Sequence, residues 1–411
     1  MTKLIISFTL ILFACLPLYS QNGSAYTRLG IGDLEYTNSA RRTGMGQLGT
    51  SVADENFINS LNPASWHKIN RTRIEFAVYY NGMFISDNNN SGYFGEMEFS
   101  GFSMAFPISE LYGITASAGL VPFSNVSYEI KESFQNPETY DVTYKGSGGL
   151  SKMFAGTSYK LPFGLVLGAN LDYYFGNLVY KSRIDFINST TSFAEYENRF
   201  NPKGVGGTFG FISPDFSSLI DTNSISELRF GASVSYLGSL DLDTLLISRS
   251  STGIDTINSG SGEMEVPFRF TVGANVIFNK NYLISLDYAF QPWSEFKING
   301  AQQPGLRNAR KFSLGFEYHP LNEPGITFWE QIIWRSGLSF EETQYMINNE
   351  GINQYSVSGG FSLPISFGNT LDLGVQYSMR GTNNSNLIKE NIIRLNVGIS
   401  FGELWFIRQS N

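Results

Sequence analysis

Cysteine and histidine are nearly absent from this sequence of 411 residues, which has one cysteine and two histidines. Cys15 lies in the first twenty residues, which we predict to be removed, so the mature chain would have no thiol for disulfides or catalysis. Metal sites usually draw on several His or Cys ligands, and His67 and His319 stand in no recognisable motif. Glycine-rich stretches such as Gly204–Gly210 lack the lysine of a phosphate-binding loop. We therefore expect no cofactor, no metal and no enzymatic activity.

Charge and long apolar runs are also scarce. Only 16% of the residues are charged, whereas a soluble protein of this size would carry roughly a quarter. Beyond residue 20 no apolar run approaches the roughly 18 residues that a membrane-spanning helix needs. The net charge of −8 offers no basic face, which argues against nucleic acid as a partner. The chain is instead rich in Phe, Tyr and Gly, which favours a closed β-barrel, the other fold that satisfies its backbone in lipid.

Residues 1–20 are predicted to be a signal peptide. Lys3 supplies the short positive region, residues 4–16 form the apolar stretch, and Ser20 is the small residue before cleavage at Gln21. A second interpretation stays open, in which Cys15 is lipidated at a lipoprotein-type cleavage site. Either interpretation makes this an exported protein.

Alternation with a period of two is the strongest pattern in the chain. In Gly164–Tyr174, Leu171 shares one face with the other apolar residues, whereas Asp172 lies on the opposite, polar face. The pattern recurs in five further segments: Leu228–Tyr236, Phe270–Phe278, Ile284–Phe290, Leu371–Tyr377 and Ile393–Phe401. Strands of this kind line a lumen with one face and meet lipid with the other, although alternation alone also fits a water-soluble sandwich.

The connections between the strands separate these two folds, because they alternate between short and long. Short turns marked by Pro or Gly are predicted at Pro107–Gly113, Leu161–Gly164, Asn279–Asn281, His319–Gly325 and Pro364–Asn369. Long polar stretches lie between them, at Ser86–Glu96, Lys131–Gly146, Asn188–Lys203, Ser239–Glu263, Asn299–Asn308, Glu341–Asn353 and Arg380–Asn391. Short periplasmic turns and long outer loops are typical of barrels in the outer membrane of Gram-negative bacteria.

We therefore predict an all-β fold, a transmembrane antiparallel β-barrel of about fourteen strands. The barrel would occupy residues 71–402, followed by a tail over residues 403–411. The first strand would begin near Thr72 and the last would end near Phe401, with both termini in the periplasm. Several strands exceed the roughly 9–11 residues that cross a bilayer, so the wall should rise above the membrane. Eight aromatic residues near strand ends are candidates for interfacial girdles, namely Tyr79, Tyr80, Tyr173, Tyr174, Tyr288, Trp293, Trp329 and Trp334.

Residues 21–70 precede the first strand and do not alternate. Gly44, Gly46 and Gly49 permit positive φ angles and close backbone approach. Pro63 fixes one dihedral and presets a turn. The apolar residues of the segment need a surface to pack on. This favours a plug inside the barrel over a disordered periplasmic tail.

The motifs of this segment carry a family resemblance. The run Gly44-Met45-Gly46, then Gly49-Thr50-Ser51-Val52-Ala53-Asp54-Glu55, then Asn62-Pro63-Ala64 ahead of the first strand resembles the FadL family of outer-membrane transporters. Tyr26–Leu34 is similar to the start of many Bacteroidetes members of this superfamily. The resemblance implies a fourteen-stranded barrel whose N-terminal hatch plugs the lumen. Its turn glycines would be Gly44, Gly46 and Gly49, and its hatch motif Asn62, Pro63 and Ala64.

The resemblance also implies a path for cargo. In this family, long-chain fatty acids or other hydrophobic compounds pass through a kinked third strand that opens sideways into the membrane. Here that strand would be about Tyr112–Glu129, with Gly119 and Pro122 at the kink, because proline cannot donate to a neighbouring strand. The alternative is that Pro122 marks a bulge in a closed wall. Arg229 and Arg394 should face the lumen and bind an anionic head group, unless they are solvated or paired with acids.

Two functions follow as expectations. The first is passive transport of hydrophobic, fatty-acid-like small molecules through a plugged lumen and a lateral opening. The alternative is a PorV-like accessory or attachment subunit of an outer-membrane protein secretion or assembly complex. Expected partners are membrane lipids, a hydrophobic ligand and the outer-membrane assembly machinery that inserts the barrel. The alternative function adds other outer-membrane proteins.

Overall fold

The computed structural model describes residues 23–36, 38–88, 90–135, 139–186, 193–220, 224–320, 327–366, 368–383 and 387–404. The predicted signal peptide, Cys15 and all but the first two residues of the predicted tail lie outside these ranges. Within them most residues are in strands. The strands are β1 (Asp33–Leu34), β2 (Thr72–Ser86), β3 (Ser91–Ser109), β4 (Ile114–Gln135), β5 (Thr139–Lys160), β6 (Val166–Phe186), β7 (Phe193–Ile212), β8 (Ile225–Tyr236), β9 (Ser239–Ser250), β10 (Gly253–Glu265), β11 (Arg269–Phe278), β12 (Tyr282–Gln291), β13 (Lys297–Ile298), β14 (Ala301–Gln302), β15 (Ala309–Tyr318), β16 (Ile333–Ile347), β17 (Glu350–Ser366), β18 (Asn369–Gly381) and β19 (Lys389–Glu403).

Helical elements are few and short. The α-helix α1 spans Ala40–Gly44. Five 3₁₀ helices span Ala25–Arg28, Pro63–Lys68, Ser217–Leu219, Trp293–Glu295 and Phe328–Gln331. Among the described residues, no helix has the length and hydropathy needed to cross a bilayer.

The strands form one closed antiparallel sheet. Pairing of β19 with β2 closes it, from Lys389 opposite Ser86 to Glu403 opposite Thr72. Because β8 pairs with β11 and β9 with β10, β8 and β9 are two halves of one crossing strand, and β10 and β11 are two halves of the next. The two-residue strands β1, β13 and β14 lie beside the wall. The described strands therefore cross fourteen times, which confirms the predicted fold class.

The alternation of side chains across the wall is as predicted. On β6, Leu171 is 66% exposed on the outer face, whereas Asp172 is fully buried on the inner face. Exposed Phe, Leu, Tyr and Val side chains lie on the outer face of strands from β2 to β19. A closed ladder with an apolar outer face and a polar inner face is the structure of an outer-membrane barrel, and this protein is located in the outer membrane.

The rim of the barrel is uneven. Strands β4 and β5 have 22 residues each, whereas β12 and β15 have 10 each. Most of the stretch Lys131–Gly146, predicted as a loop, continues the β4–β5 ladder up to Gln135 opposite Thr139. Likewise Ser239–Glu263 is mostly the β9–β10 hairpin. The loop prediction was wrong there because, above the membrane, polar side chains suit both faces of a strand while backbone pairing continues.

The aromatic residues predicted as girdles divide into two groups. Tyr173, Trp329 and Trp334 are exposed on the outer surface, and Tyr80 and Tyr288 are half-buried. Tyr79, Tyr174 and Trp293 are buried. For these three the prediction was wrong, because the chain also uses aromatic side chains to fill its lumen.

Candidate functional site

Residues 23–36 and 38–70, here called the N-terminal segment, make contacts with many strands of the barrel wall. Most of the described side chains in the segment are buried. Their hydrogen bonds reach strands on different sides of the barrel, including β7, β12, β15 and β19. Examples are Asn62 to the Phe211 carbonyl, the Thr50 amide to Asp287, Arg41 to Glu317 and Ser24 to Glu390.

Buried ion pairs fasten α1 to the wall. Arg41 donates to Glu317 on β15 at 2.7 and 2.8 Å, and Arg335 on β16 donates to the same carboxylate at 2.6 Å. Asp54 of the segment lies 3.0 Å from Arg41. Ions taken out of water need partners of opposite charge, and these groups supply them to one another. The segment and the wall therefore share one charge network.

The carboxylates of this network also form the metal-like group found among the described residues. Ligand atoms of Asp54, Glu317 and His319 lie within 4.8 Å of one another. However, Arg41 and Arg335 already bind these carboxylates, so the positive charge at this place comes from the protein itself. The arrangement is an ion-pair cluster rather than a vacant coordination sphere.

Burial and neighbouring charges shift the pKa values of three groups in the segment. Burial acts to raise the pKa of Asp54, but the Arg41 guanidinium, together with smaller contributions such as the hydrogen bond from the Asn56 amide, brings the net pKa below its ordinary value. Burial and, next, Arg41 lower the pKa of Arg42 to about 10, so Arg42 stays charged at neutral pH. Burial lowers the pKa of His67 to about 4, so the His67 ring is uncharged at neutral pH. A neutral imidazole with Nδ1 2.9 Å from the Ala64 carbonyl serves as a structural hydrogen-bond donor.

The predicted turn glycines Gly44 and Gly46 lie against strands β15 to β17, whereas Gly49 packs against Arg42 of the segment itself. Gly46 and Gly49 have φ angles of +78° and +122°, which other residues adopt only with strain. Gly44 meets β17 closely, since a Cβ on it would lie 3.3 Å from the Cα of Gly360. All three thus occupy positions where a side chain would force either the turn or the wall to move.

The predicted hatch motif lies against a different part of the wall. The Asn62 side chain accepts from the Ala64 amide at 3.0 Å and caps the 3₁₀ helix that Pro63 begins. Its amide group also donates to the Thr50 and Phe211 carbonyls at 2.7 and 3.1 Å. One side chain therefore joins the hatch motif, the glycine-rich turn and β7.

Two wall glycines make room for this motif. A Cβ on Gly210 of β7 would lie 2.0 Å from the Asn62 side-chain oxygen, and one on Gly168 of β6 would lie 2.3 Å from the Ala64 nitrogen. Sequence reasoning missed both residues. The available signal was their position on the inward-facing side of the strands. A glycine there leaves space in the lumen that another segment can occupy.

The third crossing strand separates from the second partway up the wall. Strands β3 and β4 pair from Ser109 opposite Ile114 up to Phe102 opposite Leu120. Above that point, β3 pairs with β2, and β4 pairs with β5 and briefly with β1. We call this boundary, residues 91–101 of β3 facing residues 121–135 of β4, the unpaired seam. The backbone hydrogen bonds between β3 and β4 therefore do not continue over the full height of the wall.

The two predicted kink residues lie where the pairing ends. Gly119 is still paired on both sides, with Ser103 and Phe154. Pro122 is two residues beyond the last β3 pair and adjoins an irregularity in the β4–β5 register. Proline has no N–H to donate, which is consistent with the ladder stopping at this point. The backbone ladder thus ends on one side of β4 and has a register irregularity on the other.

The N-terminal segment covers the free edge of β4. Asp33 and Leu34 of β1 pair with Asn125 and Ser124, and the Glu35 amide donates to the Phe123 carbonyl at 3.0 Å. Further up, the Thr27 hydroxyl bonds to the Ser127 backbone. Unpaired backbone groups in a membrane are costly, and these contacts satisfy several of them.

A polar cavity lies behind the seam. Its lining includes Asp33 and Glu35 of the segment, Glu96 and Asn125 of the seam, and Arg394 of β19. The cavity has a volume of about 70 Å³. One water needs roughly 10–15 Å³ of such space, so the cavity holds a few waters. It is too small and too polar for a long apolar ligand.

An apolar cluster fills another part of the interior next to the seam. Phe123 and Val126 of β4 pack there with Tyr174 of β6. Trp293 of the 3₁₀ helix after β12 and Ile31 of the N-terminal segment complete the cluster. All five side chains are buried. An apolar region inside an otherwise polar lumen was not predicted, because irregular β4 departs from strict alternation near Pro122.

Arg229 and Arg394 both face inward but lie apart and share no partner in the described contacts. Arg394 binds Glu35 through two bonds of 2.7 Å and stacks over Tyr79. Arg229 lies 3.4 Å from Glu227. Both are therefore paired with acids, the second of the two states considered from the sequence.

Comparison with known proteins places this geometry in a family. The family model described as BamG matches residues 1–410, and no curated protein matches the sequence. Among solved structures, the Ralstonia pickettii toluene transporter TbuX is 15% identical, with 90% of this chain and 99% of that chain covered and a TM-score of 0.60. A FadL homologue of Pseudomonas aeruginosa is 12% identical, with 90% and 99% covered and a TM-score of 0.60. The Pseudomonas putida toluene transporter TodX is 16% identical, with 90% and 98% covered and a TM-score of 0.57.

Such identities show a shared fold, so the predicted resemblance to FadL-type barrels is confirmed at that level. The family model, in contrast, spans nearly the whole sequence. The chain belongs to the BamG family.

Proposed function

We propose that this barrel passes hydrophobic small molecules across the outer membrane, passively, by way of the unpaired seam. The observation that carries the proposal is the end of β3–β4 pairing at Phe102 and Leu120. Above it the wall is joined by side chains and by the N-terminal segment rather than by a backbone ladder. Such a boundary opens at a smaller cost than a continuous ladder, because fewer backbone hydrogen bonds must break.

The apolar cluster and the fold support the same proposal. Phe123 and Val126 bring the cluster to the seam itself, so apolar surface lies directly inside the place where lipid would be met. The structures with the same fold include proteins titled toluene transporters. We extend that transport of uncharged hydrophobic compounds to this chain.

The charges of the lumen favour uncharged cargo over fatty acids. The two candidate head-group contacts, Arg229 and Arg394, are paired with Glu227 and Glu35. A fatty-acid carboxylate would have to displace a buried acid from either arginine. We therefore propose uncharged hydrophobic compounds as the cargo class.

Reversible closure of the seam tests this proposal. Beyond the predicted signal peptide the chain has no cysteine, so cysteines at Glu96 and Ser127, whose side chains hydrogen-bond across the seam, would be the only thiols. In vesicles, a short reducible crosslinker between them should reduce uptake of labelled toluene to background, and reduction should restore it. Cysteines at Ser251 and Thr252, on an outer loop, are the matched control. Equal toluene uptake with and without the crosslink would exclude the seam as the route.

A second candidate function is that of an accessory or attachment subunit in an outer-membrane complex. The specific observation is a set of large, exposed apolar side chains in the connections β3–β4, β5–β6, β7–β8 and β15–β16, which lie at one end of the barrel. They are Leu111, Phe163, Leu219 and Trp329, between 67% and 80% exposed. Apolar groups exposed in this way are typical of protein contacts.

Substitution of these turn residues tests the second function. Leu111→Ser, Phe163→Ser and Leu219→Ser together should shift the native-gel band of the gently solubilised protein from a complex to the free barrel. The control is Glu110→Ser, which changes a polar residue of the same turn. A free barrel in the unaltered protein would argue against this function.

A further inference from the structure

One side chain bridges the unpaired seam. Glu98 of β3 accepts a hydrogen bond from the Asn125 side-chain amide of β4, on the far side of the break. It also accepts from the Tyr79 hydroxyl of β2 at 2.5 Å. These contacts lie above Leu120, where β3 and β4 share no backbone pairs. Glu98 therefore holds together two strands that the ladder no longer joins.

A second carboxyl completes the bridge. Glu96 hydrogen-bonds to Glu98 and to Ser127, which is also on β4. Two carboxyl groups can hydrogen-bond to each other only if they share a proton, so Glu98 acts here both as acceptor and as donor. A glutamine at position 98 would keep an oxygen to accept from Asn125 and an amide nitrogen to donate to Glu96 and to the Tyr79 hydroxyl, which can in turn donate to Glu35, whereas an alanine would keep none of these contacts.

The same bridge is connected to the N-terminal segment. The Tyr79 hydroxyl, which donates to Glu98, lies 3.3 Å from Glu35 of the segment. Arg394 holds Glu35 through two bonds. Asn125, at the other end of the bridge, pairs through its backbone with Asp33. The segment and the bridge thus hold the same two strands from the inside.

We infer that Glu98 is a latch that closes the unpaired seam, and that opening the seam and releasing residues 23–36 from β4 are one coupled event. The inference rests on the proposed lateral route, for which it names the controlling residue. A molecule cannot pass between β3 and β4 while Glu98 bonds to Asn125. When Glu98 leaves the seam, the Tyr79 hydroxyl loses its acceptor, and Asn125 loses the side-chain bond that supports its backbone pairing with Asp33.

Hydrogen exchange on the full-length protein in detergent tests the coupling directly. Amides in residues 123–128 and 26–36 report on the two sides of the contact, since the Glu35 amide bonds to Phe123 and the Ser127 amide to Thr27. Glu98→Ala should speed exchange in both stretches by about tenfold or more, as expected for the loss of two or more buried hydrogen bonds. Glu98→Gln should exchange like the unaltered protein.

Three results would overturn the inference: no change in Glu98→Ala, faster exchange in residues 123–128 alone, or equal acceleration in Glu98→Gln. Asn125→Ala removes the other half of the same bond and provides an independent measurement if Glu98→Ala does not fold. Toluene uptake by the unaltered protein separates this inference from the proposed function. If exchange is coupled but toluene is not taken up, the latch stands and the transport proposal fails. If toluene is taken up but exchange is not coupled, the transport proposal stands and the latch fails.

Discussion

At the scale of single residues, buried charge is the most specific feature of the lumen. Arg41, Glu317 and Arg335 have side chains no more than 2% exposed. Exposed ion pairs contribute about 0–1 kcal/mol, but removing one partner of a buried pair leaves the others charged and unsolvated. Glu317 is the only carboxylate that contacts both arginines of this group at under 3 Å in the described contacts.

We therefore predict that Glu317→Ala destabilises the docked segment by about 3–5 kcal/mol, because it leaves two buried guanidinium groups short of a partner. The midpoint of heat-induced unfolding in detergent and the rate of proteolysis within residues 23–70 measure the effect. Glu342→Ala, which breaks an exposed pair with Arg310, is the control and should change little. Comparable effects of the two substitutions would contradict the assignment of Glu317 as an anchor.

Residue-level prediction from the sequence worked where it depended on backbone conformation or parity. The positive φ angles of Gly46 and Gly49 and the inward direction of Arg394 follow from residue type and strand period. The partners of these residues did not follow. Arg394 meets Glu35 across 359 positions of sequence, and no local pattern encodes such a pairing.

At the scale of elements, the two faces of each strand face different solvents. On β6 this gives a matched pair of neighbouring positions, Leu171 toward lipid and Asp172 toward the lumen. Asp172 accepts bonds from Asn170 and Thr208 at 2.6 and 2.7 Å. These bonds end on different oxygens; an asparagine keeps one of them, and its amide nitrogen can donate to the Thr208 hydroxyl in place of the other.

Leu171→Arg should cost about 2–4 kcal/mol if the residue lies near the bilayer midplane, because it places a charge in lipid. Asp172→Asn should have a much smaller effect. The yield of folded, heat-modifiable barrel and its unfolding free energy in lipid vesicles report on both. If the arginine is tolerated as well as the asparagine, the outer face of β6 is not in lipid.

Element boundaries were predictable only where the membrane imposes a pattern. The start of β2 at Thr72 was predicted correctly, and the last strand ends at Glu403, two residues past the prediction. The ends of β4 and β5 near Gln135 and Thr139 were not predicted as strand. Where both faces of a strand meet water, the alternation of apolar and polar residues that marks a strand is lost. The break between β3 and β4 was foreseen only through Pro122, since pairing partners are not visible in one strand alone.

At the scale of the whole molecule, the lumen of so wide a barrel would conduct ions unless something fills it. We propose that the N-terminal segment is this plug, since its contacts reach β7, β12, β15 and β19. Deleting residues 21–60 should give a folded barrel with large, steady conductance in planar bilayers, whereas the intact protein should conduct little. Equal conductance of both forms would show that the segment does not block the pore.

The fold class and strand number were accessible from the sequence because composition, strand period and turn spacing all indicate one architecture. The interior was less accessible. Which wall residue meets which part of the segment depends on contacts that close only when the barrel does.

Those contacts also set an order of events. The N-terminal segment precedes the strands β2 to β19 in the chain, yet many of its charged partners lie on β15 to β19; Ser24 and Glu390, for example, are 366 positions apart. Contacts across such distances carry a large closure entropy and form slowly. The segment therefore cannot dock until the last strands are present and β19 has met β2. The part of the protein that is synthesised before the barrel wall is the last to reach its final position.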